Sequence, residues 1–186
     1  MLKIGSVCFA FGAAIVVVSL ANAQQSRVSP HETISARLAG NLVTITYGRP
    51  YSKDPKAGTI RKIWGGLVPW GKAWRTGSDE ATTLVTQGAI KIGDKEIPAG
   101  AYTLYTIPSD TGTSQLAISK TIGKWGIPVD EKNDLARVDL KKSDVESQVD
   151  QFTMALETKK GAPSGLLKMT WERTQFSVDI ASAAKK

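Results

Sequence analysis

Apolar and polar residues alternate with a period of two along much of the chain. Residues 33–38 and 43–47 alternate in this way on either side of a Gly40-Asn41 turn, which predicts a β-hairpin. Similar strand-like stretches follow at 81–86, 89–92, 95–97, 101–107, 115–119, 135–141, 151–158, 165–171 and 174–180. No window shows sustained helical periodicity, although residues 142–152 could form one short helical turn.

These short strands define the expected fold class, which is all-β. Glycine, proline, asparagine and aspartate separate the strands at close intervals, as is typical of antiparallel β-proteins. We therefore predict a single antiparallel β-sandwich domain over residues 32–180, with a jelly roll as one topology that it could adopt.

One long segment, residues 48–80, lacks the alternation and is predicted to be an ordered loop. Residues 47–80 contain six glycines and three prolines, but also Trp64, Trp70 and Trp74. Such large apolar side chains favour burial, which argues against a disordered segment. Long ordered loops on a rigid β-scaffold commonly carry function, so this loop is the first place to look for a site.

The N-terminus has the pattern of a cleaved secretory signal, assigned to residues 1–23. Lys3 precedes an uncharged apolar stretch, and Ala21-Asn22-Ala23 forms a small-x-small cleavage site. The apolar stretch is at the short limit for a membrane-spanning helix, so we expect no membrane span after cleavage. The predicted mature protein is exported to the periplasm or the exterior of a bacterium. Its ends, 24–31 and 181–186, are expected to be a flexible segment and a solvated tail.

The chain of 186 residues contains only one cysteine and one histidine. Cys8 lies within the predicted signal, so the mature chain would have no cysteine at all. These counts argue against internal disulfides, zinc sites built from several His and Cys ligands, and Ser-His-Asp or Cys-His catalysis. The sequence thus predicts no metal, no cofactor and no catalytic residues, and it favours a protein without enzymatic activity. His31, in the polar segment before the first strand, is expected to face solvent.

The positive charge is concentrated in the predicted loop. The whole chain has a formal net charge of +7, and residues 49–75 alone carry seven Lys and Arg against a single acid, Asp54. Arginine presents a planar fork to a carboxylate or phosphate, and tryptophan presents a flat face to a sugar ring or a cation. The candidate ligand-binding residues are therefore Arg49, Arg61, Trp70, Trp74, Arg75 and Glu80.

Three functions remain open from these features. The favoured one is a non-catalytic binding module for an anionic or carbohydrate-containing ligand at the cell envelope. Nucleic acid is not expected as a partner, because the chain is exported and the basic segment is small for a duplex-binding face. The alternatives are a structural or protein-interaction domain, in which the loop simply plugs the sandwich, and a hydrolase that uses Glu80 or Asp79.

Adjacent acids at Asp79 and Glu80 are the feature on which the hydrolase alternative rests. Paired carboxylates can cleave glycosidic bonds when both flank the same bond. Neighbouring side chains on a strand point to opposite faces, so we expect these two not to share a site. An ion pair between Arg75 and Glu80 that orders the loop is the other role we predict for Glu80.

Several longer motifs resemble the bacterial domain-of-unknown-function family 2911, over roughly residues 30–180. The resemblance implies an exported, β-rich protein and carries no established activity. One departure is Asp79, where the family more often has asparagine. The motifs that carry the resemblance are Tyr47-Gly48-Arg49-Pro50, the stretch from Arg61 to Gly77 (RKIWGGLVPWGKAWRTG), Pro98 to Leu104 (PAGAYTL), Ile107-Pro108, Trp125-Gly126 and Trp171-Glu172.

Overall fold

The computed structural model describes residues 28–183, so the predicted signal at 1–23 and the ends 24–27 and 184–186 lie outside the described residues. Nine β-strands and one short 3-10 turn, Glu131–Asn133, make up the regular structure of that range. The strands are β1 His31–Leu38, β2 Asn41–Gly48, β3 Thr82–Thr86, β4 Ile90–Ile92, β5 Lys95–Ile97, β6 Gly100–Ile107, β7 Ser114–Ser119, β8 Asp134–Thr158 and β9 Ser164–Ser182. No helix among these residues is long and apolar enough to cross a membrane.

All nine strands belong to one antiparallel sheet, with the order β1-β2-β3-β6-β7-β8-β9-β4-β5. Strand β8 joins its two halves, because residues 134–140 pair with β7 whereas residues 141–158 pair with β9. The halves fold over a common core. The rings of Tyr47 in β2 and Phe152 in β8 meet edge to face at 5.7 Å. The predicted all-β, sandwich-like fold is therefore confirmed, as a bent sheet that is not closed into a barrel.

The core follows the predicted alternation. In β2 the side chains of Val43, Ile45 and Tyr47 are fully buried, whereas Thr44 and Thr46 point away from the core. Trp171 in β9 is also fully buried, as its place in an alternating strand predicts. Period-two alternation thus identifies the inner face of β2.

Strand β8 differs from the prediction of two short strands and a helical turn. Residues 142–152 are extended rather than helical, and they continue the strand from 134 to 158. The pairing of β8 with β9 slips between Asp144 and Val149 and again between Val149 and Thr153. Such irregularities bend a strand and interrupt its alternation, which explains why the sequence suggested a break.

The predicted strands at 165–171 and 174–180 are likewise one strand, β9. Glu172 lies between them with a φ of +53°, and the pairing shift in β8 lies opposite it. A left-handed residue inside a strand is a bulge conformation, so it changes which face the following side chains occupy. The two stretches therefore have independent alternations although the strand is continuous.

The long loop between β2 and β3 is ordered, as predicted for 48–80. Its backbone makes isolated β-bridges with two strands, at Tyr51 with Gln151 of β8 and at Trp74 with Thr106 of β6. The second bridge has two hydrogen bonds of 2.8 Å. These bridges hold the basic segment across one end of the bent sheet.

Candidate functional site

A cluster of aromatic side chains fixes the loop to the sheet. Trp64 is at its centre, stacked on Trp70 with centroids 5.9 Å apart. The same ring meets Trp74, Trp171 and Phe176 edge to face at 6.0, 6.3 and 5.4 Å. Aromatic pairs in these geometries contribute beyond the area that they bury. The large apolar side chains of the loop therefore anchor it to the sheet.

Trp74 connects this cluster to a surface cavity. Its ring stacks on Trp171 at 5.8 Å and 21° and meets Phe152 at 5.0 Å. Trp74 is half-buried, and it lines a cavity of about 590 Å³ between the loop and the sheet. Trp70 does not line this cavity, and the ammonium of Lys142 lies 5.1 Å from its ring centroid. Of the two tryptophans predicted to stack on a ligand, Trp74 is the one placed at a concave surface.

Arg75 is the next side chain in the cavity wall. One of its terminal nitrogens, Nη1, donates to the backbone carbonyl oxygens of Asp79 and of Trp125, the latter at 3.1 Å. Its guanidinium carbon lies 5.1 Å from the centre of the Trp125 ring. Burial lowers the pKa of the Arg75 guanidinium, and the Asp79 carboxylate partly opposes this shift. Within residues 28–183 its Nε and Nη2 have no hydrogen-bond partner, so two donors of the fork remain for a ligand.

Arg61 lines the same cavity but is already engaged with the backbone. It donates through Nη2 to the carbonyl of Tyr51 and through Nε to the carbonyl of Ser52 at 3.5 Å. Arg61 thus contributes positive charge to the cavity wall, and its hydrogen bonds to the two carbonyls stabilise the loop. Lys56, which is exposed, adds a third cation to the lining after Arg75 and Arg61.

Asp54, an acid in the cavity lining, stabilises the turn that carries Lys56. Its carboxylate accepts hydrogen bonds from the backbone amides of Lys56 and Ala57, each at 2.9 Å. These bonds lower the pKa of Asp54 below its ordinary value, with smaller help from Arg61 and Lys56. The lowered pKa keeps Asp54 ionised, so its negative charge lies beside Arg61 and Lys56 in the cavity lining.

Arg49 lies outside this cavity and supports the fold. Its Nε donates to the carbonyl of Phe152 at 3.2 Å, and its Nη2 donates to the hydroxyl of Thr153 at 2.9 Å. Its Nε also lies 3.3 Å from a carboxylate oxygen of Glu32. Arg49 therefore connects the end of β2 to β8.

The acids at 79 and 80 do not have the arrangement expected from the sequence. They precede β3, which begins at Thr82, and Asp79 has a φ of +62°. The prediction that their side chains point to opposite sides was wrong, because it assumed a continuous strand. His31 Nε2 lies 3.0 Å from Glu80 Oε2 and 3.8 Å from Asp79 Oδ2. His31 is largely shielded rather than solvent-facing, because the side chains of both acids lie against it.

Arg75, predicted as the partner of Glu80, is hydrogen-bonded to the carbonyl of Asp79 instead. Glu80 lies against His31 and does not line the cavity, whereas Asp79 does. In the described part of the chain, no group of three or more His, Cys, Asp and Glu side chains is placed to hold a metal ion.

Close backbone approach explains how this segment reaches its position. A β-carbon at Gly48 would lie 2.2 Å from the carbonyl oxygen of Ser78. Gly77 is equally close to this strand, because a β-carbon there would lie 2.8 Å from the carbonyl oxygen of Gly48. These glycines allow the end of the loop to cross β2, which places Arg75 and Asp79 at the cavity.

Three of the six predicted ligand-binding residues, Arg61, Trp74 and Arg75, line one cavity. Trp125 and Trp171, which are not among the six predicted ligand-binding residues, line the same cavity from distant parts of the chain. The pairing of Trp125 with a glycine was visible, but nothing in one sequence places residues 120–130 beside the loop.

The protein belongs to the class of all-β proteins, and one long loop rich in aromatic residues forms part of the wall of its cavity. The model of the DUF2911 family, described as a protein of unknown function, matches residues 29–180. The chain belongs to this family, as the motifs around Trp64 and Trp74 predicted. No curated protein and no solved structure matches the chain.

Proposed function

We propose that this protein is a non-catalytic binding module for an anionic or carbohydrate-containing small ligand at the bacterial cell envelope. The observation that carries the proposal is the position of Arg75, which lines the cavity of about 590 Å³ with two unused guanidinium donors. A volume of this size is typical of small-molecule sites.

The lining supports recognition of both parts of such a ligand. The Arg75 fork would bind a carboxylate or phosphate oxygen through charge-assisted hydrogen bonds, with Arg61 and Lys56 adding positive potential. Trp74 would provide an apolar surface for a sugar ring. Trp74 is held by Trp171 and by its backbone bridge to Thr106, so little side-chain freedom would be lost on binding.

The location at the envelope rests on the signal-like sequence at 1–23. The chain would be exported, with the mature protein in the periplasm or outside the cell. An exported binding module would meet anionic saccharides and lipid headgroups there. Neither nucleic acid nor a membrane span is required for this function.

A structural or protein-interaction role is favoured by a separate observation. Arg49 and Arg61 donate hydrogen bonds to the backbone carbonyls of Phe152, Tyr51 and Ser52. Such bonds stabilise a loop that only closes one end of the sheet. The two functions differ at Arg75, which a plug does not need to leave unsatisfied. The hydrolase is not proposed, because Glu80 and His31 lie against each other without lining the cavity and only Asp79 reaches its wall.

Calorimetric titration and thermal unfolding with D-glucuronate, D-glucose and inorganic phosphate test the proposal. We expect glucuronate to bind and raise the unfolding temperature, because a ligand of the native state stabilises it. Arg75→Lys keeps the charge but loses the fork, and it should weaken glucuronate binding by about tenfold or more.

Lys72→Ala is the matched control, since Lys72 is an exposed cation of the same loop that does not line the cavity. It should leave the affinity unchanged. If none of the three compounds binds, or if Lys72→Ala weakens binding as much as Arg75→Lys, the loop is a structural plug with a diffuse positive charge.

A further inference from the structure

A second cavity, of about 340 Å³, lies under a different segment of the chain. Its floor is the face of β6 and β7 that points away from the core. Tyr102 and Leu104 of β6 point into the core, so Thr103 and Tyr105 point to the opposite side. Residues 121–130 cross this face and form the roof.

The floor contains one buried hydroxyl without a partner. Thr103 is 7% exposed, and its Oγ1 has no hydrogen-bond partner within residues 28–183. Its neighbours in the floor are satisfied. The hydroxyl of Tyr105 donates to Asp134 at 2.5 Å, and that of Ser119 accepts from the Thr121 amide at 3.3 Å. A buried hydroxyl without a partner is costly, so this atom points to a missing hydrogen-bonding group in the cavity.

The roof is apolar and only partly covered. Trp125 is 54% exposed and Ile127 is 45% exposed, although both line the cavity. Pro128 and Val129 continue this apolar lining. Such side chains gain from contact with an apolar molecule that displaces water from the cavity.

The charges of the lining constrain the ligand. Lys124 and Asp130 are its two charged side chains, and they have opposite signs. The cavity therefore has no net charge with which to select an ion. A neutral molecule matches this lining, in contrast to the basic cavity that contains Arg61 and Arg75.

We propose that this cavity binds a small neutral ring compound that carries one hydroxyl group. The ring lies beneath Trp125, Ile127 and Pro128, and its hydroxyl pairs with the Thr103 hydroxyl. A hydroxyl both donates and accepts, so it satisfies Thr103 in either orientation. The site is distinct from the basic cavity of Arg61 and Arg75 in its polar contact and in its lack of net charge. The two cavities share only Trp125 and Ile127 in their walls.

Titration of the full chain with p-cresol and with toluene, by calorimetry and by NMR chemical shifts, tests this inference. The two probes have the same ring and methyl group and differ only in the hydroxyl. We expect p-cresol to bind with a dissociation constant of about 1 mM or lower, and to bind about threefold to tenfold more tightly than toluene.

Thr103→Val removes the hydroxyl and keeps the shape, so it should abolish the preference for p-cresol over toluene. Thr83→Val is the matched control: Thr83 pairs with Thr103 in the sheet but does not line the cavity. The control should keep the full preference. Equal affinities of the two probes for the original protein, or an undiminished preference in Thr103→Val, would overturn the proposal.

Thr121→Phe provides a second test that does not depend on the folding of the Thr103 variant. Thr121 lines the cavity and is partly exposed, so a phenyl group there occupies the space of the ligand ring. Both probes should lose binding by at least about tenfold. Unchanged binding in this variant, or no binding of p-cresol to the original protein at about 10 mM, rejects the site.

Discussion

Tyr105 of β6 forms a polar network with Asp134 and Arg137 at the start of β8. Asp134 Oδ2 accepts from the Tyr105 hydroxyl at 2.5 Å and from Arg137 Nε at 2.8 Å. Arg137 Nη2 also donates to Tyr105 at 3.0 Å and to Glu131 at 2.7 Å. The Asp134 side chain is only 11% exposed, so this carboxylate depends on its protein partners. The network holds the end of the segment that covers the second cavity.

Asp134→Asn should lower the free energy of unfolding by about 1–3 kcal/mol. The amide replaces a charged acceptor, so the bonds from Tyr105 and Arg137 become neutral or are lost. Urea unfolding followed by tryptophan fluorescence measures the change.

Asp139→Asn on the same strand is the control for this substitution. Asp139 is exposed and accepts only from the Gln115 side chain among the described residues, at 3.1 Å. Its effect should stay within about 0.5 kcal/mol. Equal effects of the two substitutions would mean that the network adds nothing beyond an exposed hydrogen bond.

The contacts of single residues at the site could be predicted only in part from the sequence. Of the cations and tryptophans predicted to bind a ligand, Arg61, Trp74 and Arg75 line one cavity. Whether an arginine faces a ligand or a carbonyl depends on which strand lies opposite it. Arg49 meets β8 more than a hundred positions away in sequence, and His31 meets Asp79 and Glu80 across the loop. A local pattern contains neither contact.

At the scale of elements, the loop of 49–81 behaves as a part of the core. Trp64 contacts two other loop tryptophans and the β9 residues Trp171 and Phe176. The loop contains no strand of its own, and these rings add apolar attachment to its isolated bridges and to scattered backbone hydrogen bonds such as that from Gly71 to the Pro108 carbonyl.

Trp64→Ala should therefore destabilise the protein by about 3–5 kcal/mol. It should also expose the loop to trypsin under native conditions, with early cleavage after Lys53, Lys56, Arg61 or Lys62. Mass spectrometry of a digestion time course identifies the first sites.

Trp125→Ala is the matched variant, because Trp125 is 54% exposed and lies outside the cluster. It should cost about 1 kcal/mol or less and should leave the loop resistant. Rapid loop cleavage in the original protein, or in Trp125→Ala alone, would show that the cluster does not hold the loop.

The strands show why the fold class could be predicted and the strand boundaries could not. Alternation in β2 and β3 follows directly from one buried face. In β8 the pairing slips, and most residues from 141 to 150 are exposed, so the face-to-face pattern that identifies a strand is weak there. The strand is extended because β9 pairs with it, which is a non-local cause.

At the scale of the whole molecule, the charge of the chain is divided between support and recognition. The loop segment 49–75 holds most of the net +7. The structure assigns Arg49 and Arg61 to backbone carbonyls, while Arg75 keeps two donors at the cavity. Only part of the basic segment is thus available to a ligand, and salt should weaken glucuronate binding modestly rather than strongly.

Two buried tyrosines make the free energy of unfolding of the whole molecule depend on pH in the alkaline range. Tyr47 and Tyr105 are each 1% exposed. Burial raises the pKa of both phenols well above the ordinary value, assisted by hydrogen bonds to Glu32 and Asp134 respectively. The folded protein therefore keeps both protons at a pH where the unfolded chain, with phenol pKa values of about 10, releases them.

This difference sets the direction of an alkaline stability change. Above pH about 10 the folded state binds more protons than the unfolded state, so the free energy of unfolding falls as pH rises. Above pH about 10 each phenol contributes up to about 1.4 kcal/mol per pH unit to the slope. Its contribution to stability is fully present below pH about 10 and is lost as pH rises towards the raised pKa of the folded state. Urea unfolding between pH 9 and 12, a range of about three units around the phenol pKa, measures the slope.

Tyr47→Phe and Tyr105→Phe should each reduce the alkaline slope, and the double variant should reduce it most. Both single variants also lose hydrogen bonds, so their stability at neutral pH falls as well; Tyr47, for example, accepts from the Met154 amide at 2.8 Å. The slope separates the two effects, because a lost hydrogen bond shifts the whole curve whereas a lost ionisation flattens it above pH about 10. A double variant whose alkaline slope matched that of the original protein would show that lysines, rather than these phenols, govern unfolding at high pH.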